Sequence, residues 1–245
     1  EMVIFGLHPC DAQGFSIYDL PMLQDPQDDF YKDRRDRTTL IGMSCSAPCL
    51  ECFCTSTGSG PHDASGVDVM LTEASQYYVV QSVTDKGERL LSSASLKQQD
   101  IEMRPPPVIS EVPTEGIVVA MRRAFDDQYW NRLADRCIHC NICSYVCPAC
   151  YCFDMRDYKE KGKVCRVRSW DSCLAPGFTK IAGGHDHRPD KGGRMRQRFA
   201  HKLLYFPEEF DGVLGCTGCG RCVRFCPVNI DIREIIGDVQ KIGGD

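Results

Sequence analysis

Two stretches of the chain repeat one cysteine spacing. The first is Cys137-x2-Cys140-x2-Cys143-x3-Cys147-Pro148 and the second Cys216-x2-Cys219-x2-Cys222-x3-Cys226-Pro227. Three thiolates two residues apart let a tight loop wrap one face of an iron–sulfur cubane. The fourth, after a three-residue gap, begins a segment that reaches a neighbouring cluster, because in two-cluster proteins of this spacing the fourth Cys serves the other cluster. The expected ligand sets are therefore Cys137, Cys140, Cys143 and Cys226 for one [4Fe–4S] cluster, and Cys216, Cys219, Cys222 and Cys147 for the second. Structural zinc uses paired C-x2-C knuckles and stops at four ligands, so a third Cys followed by x3-Cys-Pro, twice over, fits it badly. Covalent haem needs His directly after its second Cys, and here Asn141 and Val223 follow. His139, inside the first loop, reads as a surface residue, since four thiols already satisfy a cluster.

The N-terminal half carries five more cysteines: Cys10, Cys45, Cys49, Cys52 and Cys54. Cys10 follows an expected strand, and the others follow a second one. Thiols at the ends of neighbouring strands could form a third four-thiolate site from Cys10 and three of the other four. Buried free thiols of no special role are the plainer alternative. Cys150, Cys152, Cys165 and Cys173 surround the first loop. Their spacing matches no metal motif, so ligation and ordinary packing both stay open for Cys49, Cys150, Cys152 and Cys173.

Positioning these thiols requires a scaffold. The Pro105–Pro107 run, with Pro113 behind it, removes backbone donors and favours extended chain, which marks 105–113 as a linker. Before it, residues 2–5, 40–43, 67–71 and 77–80 read as strands, with helices over 11–20 and 28–37 between them, giving a small α/β layer structure over 1–104. After it, Ile117, Met121, Ala124, Phe125, Trp130 and Leu133 fall at helical spacing from Thr114 to Arg136, and Ile232, Ile235, Ile236 and Val239 line a helix over 231–242. Between these helices no long apolar run occurs, so something other than hydrophobic burial has to hold that region. Gly183-Gly184 and Gly192-Gly193 read as turns, and neither a G-x-G-x-x-G fingerprint nor a Walker loop is present.

Composition narrows the class. Seventeen cysteines in 245 residues is an odd number in a chain far too long for a disulfide miniprotein. With 42% apolar and 26% charged residues the chain is globular in kind. No window reaches the ~18 apolar residues of a membrane span, and no basic-then-apolar leader opens the chain. The expectation is a reduced, intracellular, metal-rich protein, cytoplasmic and without a membrane span. The start at Glu1, directly on the apolar Met2–Leu7, looks like part of a longer product. Net charge is −5, yet residues 156–204 hold thirteen Lys/Arg against five Asp/Glu. An acidic chain is a poor nucleic-acid binder unless its basic stretch forms one face, so no nucleic-acid partner is expected. That stretch reads either as a solvated loop whose Arg and His offset cluster charge or as a docking face for an acidic partner.

Further motifs carry a family resemblance: Cys147-Pro-Ala-Cys-Tyr-Cys-Phe-Asp154, Trp170-Asp-Ser-Cys173, Gly184-His-Asp-His-Arg-Pro189, Arg196-Gln-Arg198 through His201-Lys202, and Gly218-Cys-Gly-Arg-Cys222 with Cys226-Pro-Val-Asn-Ile-Asp231. In the first part, Phe5-Gly6 with Pro9-Cys10-Asp11, Phe30-Tyr31 with Arg34-Arg35, and Cys52-Phe-Cys54-Thr55 join them. Over nearly its whole length the chain resembles the iron–sulfur β subunits of sulfhydrogenase-type [NiFe] hydrogenases, the A subunit of anaerobic sulfite reductase, and dicluster subunits of flavin-linked heterodisulfide reductase complexes. The resemblance implies an α+β protein: an N-terminal small α/β domain over 1–104, then an α-helical ferredoxin domain over 114–245 with two [4Fe–4S] clusters. It favours Cys10, Cys45, Cys52 and Cys54 as ligands of the third cluster. It also implies a non-catalytic role, relaying electrons between a flavoprotein subunit that binds FAD and NAD(P) and a catalytic subunit of hydrogenase, sulfite reductase or heterodisulfide reductase type. The rival expectation is an enzyme subunit whose own incompletely ligated cluster does chemistry, which the surplus thiols keep open.

Overall fold

The computed structural model describes residues 1–98 and 104–243. Residues 99–103 of the expected first domain and 244–245 of the second lie outside the described residues. Contacts divide the chain into two units. One is Glu1–Glu111 together with Cys216–Gly220, and the other is Val112–Gly215 together with Arg221–Asp245. Both helices and sheets are present, so the protein is an α and β mixture. Residues 104–114 have no regular secondary structure.

The first unit is built on a four-stranded sheet of β1 (Met2–Leu7), β2 (Thr38–Met43), β3 (Val69–Ala74) and β4 (Tyr77–Ser82), in that spatial order. The first three strands are parallel and β4 returns antiparallel. Helices α1 (Pro9–Leu23) and α2 (Asp29–Asp36) make the crossover from β1 to β2. The side chain of Asp28 accepts from Tyr31 N at 2.9 Å and caps α2, as the Ncap preference for Asp requires. Ala12, Leu40, Val67 and Met70 form the core between α1 and the sheet. Buried Asp68 ties the sheet to the next helix, α3 (Asp85–Leu91), by accepting from Leu40 N at 2.8 Å and Thr84 Oγ1 at 2.6 Å. Because β1 and β2 run parallel, the residues that follow each strand leave the same end of the sheet. Cys10 therefore enters α1 at the end where Cys45, Cys49, Cys52 and Cys54 occupy the loop after β2.

In the second unit the single helix expected over 114–136 is two helices, α4 (Ile117–Arg123) and α5 (Tyr129–Arg136). The break has a local cause. The Asp127 carboxylate accepts from Tyr129 N at 2.6 Å, and the Trp130 indole donates to Ala124 O at 2.9 Å, so the orphan groups of both helix ends find partners. A short helix α6 (Ile142–Tyr145) follows in the first cysteine motif. Next comes an antiparallel hairpin, β5 (Phe153–Glu160) and β6 (Lys163–Trp170), which the sequence reading did not anticipate. Lys161 and Gly162 both have positive φ at its two-residue turn, the conformation that matches strand twist.

The basic stretch 156–204, read either as a solvated loop that offsets cluster charge or as a docking face, is not one element, and largely irregular chain over 171–190 joins its two regular parts. Its first part is this exposed hairpin, and its second is a buried helix, α7 (Lys191–Ala200), that runs through a π turn (His201–Tyr205) into α8 (Phe206–Glu209). Gly192 and Gly193 lie in the first turn of α7, not in a turn between elements; Asp190 caps that helix by accepting from Gly193 N at 2.7 Å. The second motif contributes α9 (Arg221–Arg224), and α10 (Ile232–Gly243) ends the unit, starting where Asp231 accepts from Arg233 N at 2.8 Å. The core joins Met121, Trp130 and Leu133 to Met195, Phe199, Leu203, Ile235, Ile236 and Val239, all under 7% exposed. Ile235→Ala should cost about 2–5 kcal/mol through lost burial and the cavity left behind, whereas truncating Val108, 94% exposed, should change little. Denaturant unfolding of the two variants checks this.

Candidate metal centres

The two cysteine motifs share one backbone shape. Residues two and four positions after the first Cys have left-handed φ in both: His139 at 54° and Asn141 at 62°, Gly218 at 60° and Gly220 at 71°. This conformation turns amide groups inward onto sulfur. His139 N donates to Cys137 Sγ at 3.3 Å, Gly218 N to Cys216 Sγ at 3.5 Å, and Ile230 N to Cys226 Sγ at 3.2 Å. His and Asn tolerate positive φ better than most residues. His139 is thus not a surface residue. It is half-buried, its Nδ1 lies 3.4 Å from Leu174 O, and burial pulls its pKa below the usual value.

In the second unit, Cys137, Cys140, Cys143 and Cys226 line one cavity of about 490 Å³, counted to its open mouth, with Cys222 also on its wall. Ile142, Leu174, Met195, Phe199 and Ile232 supply apolar sides, and Arg198 reaches in from α7. Burial pushes the Cys137 and Cys143 thiols up, and Arg198 opposes that rise at Cys143. Among the described residues no three Cys, His, Asp or Glu side chains close on one point tightly enough for a single metal ion. Zinc at bonds of about 2.3 Å would draw its sulfurs to roughly 3.8 Å from one another; here the thiols ring a space instead. Four thiols, apolar walls and amides aimed at sulfur fit an iron–sulfur cluster, which would require each thiol to surrender its proton.

In the first unit, the Cys216–Gly220 pentapeptide packs on the loop that carries the N-terminal cysteines. Phe53 N donates to Gly218 O at 2.8 Å, and Cys52 Sγ lies 3.8 Å from Cys219 O. A methyl on Gly218 would stand 2.6 Å from the Cys54 backbone, and one on Gly220 2.6 Å from that of Glu51. The thiols of Cys45, Cys49, Cys52 and Cys54 lie close enough to perturb each other. Burial is the leading cause that raises Cys45 and Cys54 and pushes Cys52 up to about 11. Cys10 is placed in the first turn of α1.

Sequence reasoning singled out the motif that holds Arg198 and Lys202 and expected this stretch to offset cluster charge, but it did not foresee that the cations of α7 are buried. Arg194, Arg198 and Lys202, four apart and so on one helix face, are 6%, 3% and 5% exposed. Arg194 donates to the carbonyls of Arg188 and Pro189. Arg198 donates to Cys143 O at 2.7 Å, Ser144 Oγ at 3.3 Å and Cys150 Sγ at 3.5 Å; Lys202 donates to Gly215 O at 2.7 Å and Cys147 Sγ at 3.3 Å. Burial works against the charge on Arg198, but Cys143, Cys150, Cys222 and Cys147 more than offset it and hold the guanidinium firmly ionised. The hydrogen bond from Cys147, with both cations behind it, holds Cys150 well below the ordinary thiol range, and Cys147 keeps its proton. Of the remaining cysteines, Cys165 is exposed on the hairpin, while Cys152 and Cys173 meet at its base. No cysteine among the described residues forms a disulfide.

Residues 136–230 match the 4Fe–4S dicluster domain family, which defines the class of protein these motifs and cavities belong to. The whole chain is also 31% identical, over 254 residues, to "Sulfhydrogenase 2 subunit beta" of Pyrococcus furiosus, an alignment that takes in 98% of this chain and 75% of that protein. The chain belongs to this family of 4Fe–4S β subunits. No solved structure matches it. Among the described residues no helix is long and apolar enough to cross a membrane.

Gly218→Ala should displace the Cys52–Cys54 loop and lower iron and acid-labile sulfide per chain, since both its positive φ and its contact with the Cys54 backbone forbid a side chain. Metal analysis of the anaerobically purified variant checks it. His201 supplies a pH signature: burial lowers its folded pKa, while the unfolded value stays near about 6.5. The folded state then binds fewer protons, so this contribution is complete above about pH 6.5 and is lost as pH falls through the folded pKa. Denaturant midpoints between pH 7 and pH 5 should fall less steeply for His201→Gln than for the native protein.

Proposed function

We propose that the chain is a non-catalytic electron-transfer subunit of a cytoplasmic redox complex. It relays single electrons between a flavoprotein subunit that binds FAD and NAD(P) and a catalytic subunit of hydrogenase, sulfite reductase or heterodisulfide reductase type. Two [4Fe–4S] clusters in an α-helical ferredoxin domain over 114–245 carry the relay, with the fourth cysteines exchanged: Cys226 joins Cys137, Cys140 and Cys143, and Cys147 joins Cys216, Cys219 and Cys222. The α/β domain over 1–104, joined by the 105–113 linker, holds a third cluster through Cys10, Cys45, Cys52 and Cys54.

The observation that supports this best is that Cys226, far away in sequence, lines one cavity with Cys137, Cys140 and Cys143, as an exchanged fourth ligand would. Clusters held by thiolates exchange one electron at a time, with potentials set by hydrogen bonds to sulfur, charge and exposure. The amides on Cys137, Cys216 and Cys226 and the buried Arg198 supply the first two. Docking is supported by the hairpin, which presents Met155, Tyr158, Val164 and Trp170, each at least half exposed, among Arg156, Lys159, Lys163 and Arg166. An isolated two-stranded hairpin is marginal in water, and a partner that covers this face would steady it. Cys49 stands outside the proposed set as a neighbour of Cys52.

The test uses the intact complex, purified anaerobically with its co-purifying chains. On adding NAD(P)H, freeze-quenched EPR should show cluster reduction after flavin reduction and before product appears. Cys226→Ser should remove one cluster signal and stop product formation while flavin reduction continues. Unimpaired turnover by that variant, or turnover by the isolated chain, would sink the relay reading.

A further inference from the structure

We propose that Cys150, Cys152 and Cys173 hold a further iron–sulfur cluster, separate from the ligand sets above, in which one iron is left to a ligand other than cysteine. Three elements bring these thiols together. Cys150 follows the first motif, three residues beyond Cys147. The hairpin closes with Phe153 opposite Trp170, and Asp171 N donates to Cys152 O at 3.0 Å, so its base zips Cys152 against Cys173. Their thiols hydrogen-bond to each other. Ser172, with no exposed surface, then pins the returning strand by donating to Ser144 Oγ at 2.9 Å and accepting from Leu174 N at 3.2 Å.

The three thiols line one cavity together with Arg198, His201 and Lys202. Plain packing does not account for this lining. A buried cation is costly unless an anion faces it, and among the described residues the hydrogen-bond partners of Arg198 are a carbonyl, a hydroxyl and the Cys150 sulfur. A single ion does not suit the place, because no three donors among the described residues close on one point. The same is true of the first cavity, whose ring of thiols fits a cluster. Tyr151 OH lies 2.8 Å from His201 Nε2 and fixes the imidazole on the cavity wall, as partners of metal-facing histidines do. Arg198 lines both cavities, so the two sites share one compensating charge. An electron that leaves a cluster in one cavity oxidises that cluster and reduces its neighbour by one, with no other reactant needed.

The intact complex carrying Cys152→Ala/Cys173→Ala should lose about four irons and about four acid-labile sulfides per chain relative to the native protein, with the EPR signals of the other clusters retained. Cys165→Ser, on the exposed hairpin, should lose none. Unchanged iron in the double variant, zinc lost in place of iron, or equal loss in Cys165→Ser would overturn the assignment. If the double variant fails to fold, the native protein decides through its iron-57 Mössbauer spectrum. An iron site with a non-sulfur ligand in addition to all-sulfur sites is expected, and all-sulfur sites alone would overturn the proposal.

Discussion

A guanidinium that is 3% exposed must be met by negative charge, and a thiol that is buried resists becoming negative. Arg198 brings these two demands to one place. Its donors satisfy Cys143 O, Ser144 Oγ and Cys150 Sγ, and its charge bears on thiols from the first motif, the second motif and the hairpin flank. Each thiol that ionises lowers the cost of burying the cation, and the cation lowers the cost of ionising each thiol. Lys202 repeats the arrangement one helical turn on, against Cys147. The buried thiols and the helix that carries the cations are therefore one electrostatic unit.

Helix α7 runs into a π turn at His201–Tyr205, where Lys202 lies. A regular helix would keep the four-residue spacing of Arg194, Arg198 and Lys202 while continuing its hydrogen-bond ladder. Here Lys202 is tied to a second segment: its carbonyl accepts from Gly215 N and its ammonium donates to Gly215 O. The wider turn gives the backbone around Lys202 a second set of partners at the edge of the second cavity. Insertions of this kind concentrate at functional sites, because a slight unwinding re-aims one side chain without ending the helix. Leu203, Leu204 and Phe206 stay buried through the same turn, so the core is preserved while the cation is re-aimed.

Much of this was legible in the sequence. The four sheet strands and α10 rest on patterns with one physical meaning each, and the structure has them at or within a few residues of the expected positions, the third strand starting at Val69 instead of Val67. The shape shared by the two loops was half visible: glycines at 218 and 220 announce positive φ, but His139 and Asn141 at the same positions do not. The helix break after Ala124 was hidden because the apolar period runs straight through it; the interruption lies in Asp127 and the Trp130 indole, which take over the end groups. The hairpin was hidden because neither face is buried, so its strands show no alternation between apolar and polar. The basic segment was half legible for a related reason: its charge was read as offsetting clusters or as docking a partner, but not as buried. Charge usually means solvent, and the clue to the contrary, cations at 194, 198 and 202 on one helix face, has meaning only when thiols are there to receive them.

Residues 137–190 show what this costs the fold. Across that span the buried apolar side chains are Ala149, Cys173 and Leu174, with Ser144 and Ser172 the buried polar ones. At about 25 cal/mol per Å² such burial is small, while ordering each residue costs about 1–2 kcal/mol in backbone entropy alone. Hairpin hydrogen bonds offset part of that cost only modestly, since water competes for the same groups. The clusters proposed above would supply the remainder through thiolate–metal bonds: where the unfolded chain has no preformed site, metal binding energy becomes folding energy. In the ligand set proposed above, Cys226 would join Cys137, Cys140 and Cys143 across a long excursion of chain, and the entropy of closing such a loop grows only slowly with its length.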